Sequence, residues 1–167
     1  AERIRTARDV GRAFQHTGAV MKRTSIVLAA NDTRHIAGLQ ESGTAAAFCD
    51  AVRVEIGDAA LLYISGATPI DDDGNLVGDT MLEQTRQVLR RLKRVLDDQG
   101  ATFADIVRVR VFVTDISPEA LRQVHAARNE VFPADARPAS TLVQISGIIR
   151  EGGMVEIDAD AVIPLSR

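Results

Sequence analysis

The sequence predicts an α+β domain: one mixed sheet with two helices on a single face. Three observations lead there. Residues 106–114 (IVRVRVFVT) and 154–163 (MVEIDADAVI) alternate apolar and polar side chains with the period of half-buried strands. Two longer segments repeat apolar residues at i, i+3, i+4 and i+7, the period of amphipathic helices. The resulting order, β-β-β-α-β-α-β-β, supplies too few helices to cover both faces of the sheet.

The elements follow in order. Residues 23–30 (RTSIVLAA) suit a strand, and 31–48 are polar and glycine-punctuated, as a loop would be. AVRVEI (51–56) and ALLYIS (60–65), split by Gly-Asp-Ala, form a hairpin signal. The turn-rich loop 68–78 contains Asp73-Gly74, a pair suited to a tight turn. Met81, Leu82, Thr85, Val88, Leu89, Leu92, Val95 and Leu96 then make one stripe, giving a helix over 79–99 with Gly100 at its end. On the strand 106–114, Val107, Val109, Val111 and Val113 share one face, and Arg108, Arg110 and Phe112 the other. Ser117 is the expected N-cap of a second helix with Pro118 in its first turn. Its stripe is Leu121, Val124, Arg128, Val131 and Phe132, and Pro133 ends it. Strands at 140–148 and 154–163 close the chain, the latter with Glu156, Asp158 and Asp160 on its polar face.

At 167 residues, 46% of them apolar, the chain can bury a sizeable core; 4% aromatics and no Trp make that core aliphatic. Twenty basic against 23 acidic residues give a net charge of −3, which argues against a nucleic-acid partner. No apolar run has the ~20 residues of a membrane span. The single cysteine, Cys49, excludes an internal disulfide and a multi-cysteine metal site, and suits a reducing cytoplasm. His16, His35 and His125 are widely spaced, so no metal is expected. Phosphate-loop, dinucleotide-binding, zincin and nucleophile-elbow motifs are missing, and no cofactor is expected.

Residues 1–35 read as an N-terminal extension. Its first 20 residues carry Arg3, Arg5, Arg8 and Arg12, but Glu2 and Asp9 count against a targeting signal. Ile4, Ala7, Gly11 and Phe14 fall at helical spacing, so a short amphipathic helix or arm is expected, followed by the strand. Residues 36–167 form the domain proper. Arginines and carboxylates interleave on its uncovered sheet face, where they face water or pair against other subunits; an oligomer is the expectation.

From Phe48 to Ile163 the chain resembles the Rid family, also called YjgF or enamine/imine deaminases. The resemblance rests on AVRVEIGDAALLYISGATPIDDDG, on QTRQVLRRLKRVLDDQGATFADIVRVRVFVTD, on PASTLVQI and on VEIDADA, in family order and spacing. It implies a chorismate-mutase-like fold, a homotrimer, and small-ligand clefts at the subunit interfaces. It also implies reactive enamines and imines, such as 2-aminoacrylate, as substrates, hydrolysed to keto acids and ammonia.

In deaminating members an arginine just after Pro-Ala grips the substrate carboxylate with two parallel N–H donors. Ser140 stands in that place here, and Leu142 where some members have cysteine. The chain thus resembles an arginine-less subgroup. Arg137, three residues before Ser140, either reaches the cleft or is a solvated loop residue. Glu156 matches the family carboxylate that directs water; otherwise it pairs with Arg108 or Arg110. Phe48 matches an aromatic wall position and Gly66 a cleft-lining turn. His125 takes a helix position where many members have asparagine. Cys49 lies near the inferred cleft, although a lone cysteine commonly serves as packing. The resemblance therefore implies a hydrolase with Glu156 as its catalytic group. Phe48, Gly66, His125, Ser140 and Leu142 are its ligand contacts, and Cys49 and Arg137 further candidates. The alternative is a non-catalytic trimer that binds a small ligand or a partner. Ribonuclease activity, attributed to some members, finds little support in the charge balance.

Overall fold

The computed structural model describes the backbone of residues 12–16, 19–28, 42–44 and 46–165, with side chains from residue 21 onward within those ranges. These described residues include seven strands: β1 (Arg12–His16), β2 (Ala19–Ile26), β3 (Ala51–Ile56), β4 (Ala59–Ala67), β5 (Ile106–Val113), β6 (Ala139–Gln144) and β7 (Val155–Pro164). Helix α1 spans Met81–Asp98 and α2 spans Pro118–Asn129. The strands form one sheet in the order β1-β2-β3-β4-β7-β5-β6, antiparallel except for the β5–β6 pair, whose crossover contains α2.

Local chemistry fixes the elements. Gly57 at φ 62° turns the two-residue β3–β4 hairpin, in which Ile56 lies opposite Ala59. Thr80 and Glu83 close a reciprocal capping box at the start of α1, and Gly100 at φ 67° follows its end. Ser117 caps α2 by accepting from the Ala120 N–H at 3.2 Å, with Pro118 in the first turn. The core is aliphatic. Leu62, Val109, Val111, Ile157 and Ala159 of the sheet meet Val88, Leu92, Leu96 and Val124 of the helices, all essentially inaccessible to water.

Two sequence expectations change. The helix or arm expected over the first 20 residues gives way, where the chain is described, to the paired strands β1 and β2; residues 1–11 lie outside the described residues. The register sets His16 opposite Ala19. Backbone pairing along that ladder outweighs the weak helical spacing, which depended on Gly11. Val107 also leaves the buried face. The β5–β7 register shifts between Ile106 and Arg108, so Ile106 is buried and Val107 is half exposed.

The face opposite the helices carries Tyr63, Arg108, Arg110, Phe112, Glu156, Asp158 and Asp160, as their cross-strand partners require. Nothing in the chain covers this face among the described residues.

Candidate active site

β7 is last in sequence but lies in the middle of the sheet, between β4 and β5. That position brings the Glu156 side chain onto the irregular end of β4, where pairing shifts between Ile64 and Ala67. A Cβ on Gly66 would stand 2.0 Å from Glu156 Oε1, so the carboxylate lies directly over the Gly66 backbone. Only glycine leaves room for that approach. Next door, the Ser65 hydroxyl donates to the Cys49 carbonyl at 2.7 Å, and the Ser65 N–H to the Asp50 carbonyl at 2.9 Å. These bonds anchor the segment carrying Phe48, which is exposed, and Cys49, whose thiol contacts the Ala51 carbonyl at 3.3 Å.

Among the described residues no arginine pairs with Glu156. The Arg110 guanidinium forks onto Asp160 with two bonds of 3.0 Å, and its Nε lies 2.6 Å from Asp158. Burial first, then the neighbouring Asp158 charge, push the Glu156 carboxyl above its ordinary range. A half-buried, unneutralised carboxyl with a raised pKa is suited to take a proton from water.

The remaining sequence candidates gather elsewhere. Ser140 pairs with Val109 and Leu142 with Val111 in the parallel β5–β6 ladder. Both therefore point to the helix side, Leu142 packing on the core. Ser140 accepts a 3.1 Å hydrogen bond from Arg128 Nη2 on α2. Arg137 is exposed and donates to Asn129 Oδ1 at 3.2 Å. His125 lies exposed on α2, three residues before Arg128. Ser140 and Glu156 are two strands and three residues apart on opposite faces, roughly 14 Å by standard strand spacings.

Within one chain the candidates thus form two groups: Phe48, Cys49, Gly66 and Glu156 around β4 and β7, and His125, Arg137, Ser140 and Leu142 around the β6 edge. Arg128 belongs to the second group and was not singled out from sequence as a site residue. Its signal was a charge at an apolar-stripe position of α2.

The family described as Endoribonuclease L-PSP matches residues 39–163. A solved member of the YjgF/YER057c/UK114 family from Mycobacterium tuberculosis is 33% identical, covers 84% of this chain and 99% of its own, and superposes with a TM-score of 0.62. The chain belongs to the YjgF/Rid family. A Rid-family protein of Yersinia pestis agrees, at 29% identity over 83% of this chain and 98% of that one, with a TM-score of 0.62. A RutC family protein of Pyrococcus abyssi is 29% identical over 104 residues, 60% of this chain and 76% of the relative. The two helices on one face of a mixed sheet are the architecture of these Rid neighbours. The first hairpin, β1–β2, precedes the residues matched to the family. No helix among the described residues is long and apolar enough to cross a membrane, and none of their histidine, cysteine and acidic side chains cluster as a metal site.

Proposed function

We propose that this Rid protein is a hydrolase for a small imine or enamine, acting as a cytoplasmic homotrimer with its reaction cleft between subunits. The observation that carries the reading is Glu156: a carboxyl pressed on Gly66, matched by no cation among the described residues and held above its ordinary pKa by burial and Asp158. Ionised Glu156 accepts a proton from water as the water oxygen attacks the imine carbon. The proton passes to nitrogen, the tetrahedral carbinolamine collapses, and the products are a carbonyl compound and ammonia. An enamine enters the same route after protonation at carbon. Phe48 and Gly66 wall this side of the cleft; His125, Ser140 and Leu142 wall the other from a neighbouring copy. The uncovered sheet face supports the assembly, since the aromatic rings of Tyr63 and Phe112 share it with the half-buried Arg110, Asp158 and Asp160 network, and another subunit would cover both.

The test follows ammonia release from enzymatically generated 2-aminoacrylate and from a panel of imines. The expected outcome is acceleration by the wild type and a loss of about 100-fold or more in Glu156→Gln, within the range for a general base. If no substrate is accelerated and Glu156→Gln matches wild type, the protein is instead a binding module; acceleration that survives in Glu156→Gln would remove Glu156 as the base.

A further inference from the structure

A buried guanidinium normally faces a carboxylate, because desolvating its charge is costly unless an opposite charge or several acceptors answer it. Arg128 does not. It is 8% exposed on a helix whose other buried residues are Ala120, Val124 and Ala127. Among the described residues its one hydrogen bond is to the neutral Ser140 hydroxyl. Burial first, then the charge of another cation, Arg137, disfavour the charged form of Arg128. A guanidinium nevertheless stays charged in proteins. The group is also held in place. Its Cζ lies 5.7 Å from the centre of the Phe132 ring, which is braced edge-on by Phe103 at 5.1 Å. The hydroxyl that Arg128 grips belongs to an exposed residue on the edge strand β6, so this buried cation lies just beneath the rim of the sheet.

We propose that Arg128 is the anion anchor of the cleft and takes the carboxylate of a small 2-imino or 2-enamino acid, with Ser140 positioning its guanidinium and Arg137 adding a second positive charge. This rests on the hydrolase reading for its substrate, but not for its binding chemistry. The cation that the strand lacks at Ser140 is supplied from α2. Arg128 offers a planar fork to a planar carboxylate, and the ligand supplies the negative charge that no described side chain provides. Ser140 fits the arrangement because a small hydroxyl leaves room for the arginine that reaches it from the helix.

Binding is tested on the full chain with pyruvate, a stable 2-oxo acid that is not turned over, by calorimetry and by the arginine Nε–Hε resonances. Saturable binding in the wild type is expected, with loss of affinity of about ten-fold or more in Arg128→Gln, the size of one charged hydrogen-bonding partner. Arg137→Gln loses less, about two- to five-fold, as befits a flanking charge. Should Arg128→Gln fold poorly, Arg128→Lys keeps the charge without the fork and is expected to bind with intermediate affinity. In the wild type, pyruvate must shift the arginine resonance that disappears in Arg128→Lys. A folded Arg128→Gln that binds pyruvate as the wild type does would overturn the assignment, as would an unshifted Arg128 resonance at saturation or no binding up to about 10 mM. Pyruvate binding through Arg128 with no ammonia release from any substrate would uphold the anchor and defeat the hydrolase; ammonia release unaffected by Arg128→Gln would do the reverse.

Discussion

Glu156 makes a pH prediction whose sign follows from its surroundings. Burial and Asp158 raise its carboxyl above the ordinary 4.5, so the native state holds that proton more tightly than the unfolded chain. Below the ordinary value both states are protonated and the group contributes nothing. As pH rises through the raised value the native state must carry a poorly solvated charge, and stability is lost. Glu156→Gln removes that charge. Its melting temperature is expected to exceed that of wild type at pH 7, with the difference closing as pH falls below 4.5. Calorimetric melts across that window check it; a constant difference, or a less stable variant at pH 7, would contradict it. The sequence placed Glu156 on the polar face of an alternating strand. It could not show that the carboxyl goes unpaired, because Arg110 chooses the diagonal Asp160 and adjacent Asp158 only once β5 and β7 are in register. Arg128 was visible as a charge within the stripe Leu121, Val124, Val131 and Phe132. Its burial and its reach to Ser140 depend on how α2 lies against β6, which periodicity does not specify.

At the scale of elements, the interior of α1 also holds a polar group that joins separate parts of the fold. Gln84 is 1% exposed; it accepts from the Met154 N–H at 2.7 Å and donates to the Gly78 and Gly152 carbonyls at 3.1 Å each. One amide thereby ties the loop before α1 to the loop entering β7, and so sets where β7 begins. Gln84→Leu keeps the volume but leaves three part-buried backbone groups without their partner. The expected cost is about 2 kcal/mol, or roughly 4–8 °C in melting temperature for a domain of this size. A melt unchanged within error would show that water replaces the amide at no loss. The helix itself was legible, since its stripe spans four turns and Gly100 marks its end. β1 was not, because five residues of strand have no alternation strong enough to outweigh a helical spacing. Nor was the β5 bulge, since Val107 continues the period of Val109, Val111 and Val113, and only the shift in pairing with β7 shows that its apolar neighbour Ile106 takes the buried place.

For the whole molecule, the decisive fact is that Glu156 and Ser140 point from opposite faces of one sheet, roughly 14 Å apart. A carboxylate and an imine carbon in one small substrate are separated by a single bond. The proposed base and the proposed anchor can therefore serve the same molecule only if two copies each contribute one of them. In the proposed homotrimer, closed and cyclic, the interfaces would be head-to-tail, so every cleft would have Glu156 from one subunit and Arg128 from the next. Subunit mixing tests this without a new structure. The Glu156→Gln and Arg128→Gln proteins are each expected to be inactive or strongly impaired on a carboxylate-bearing imine. When the two are unfolded together and refolded in equal amounts, random assembly leaves about one cleft in four with both groups intact. Activity should then rise to about a quarter of wild type. If both groups acted from one chain, every cleft in the mixture would carry a defect, and the refolded sample would be no more active than its parents.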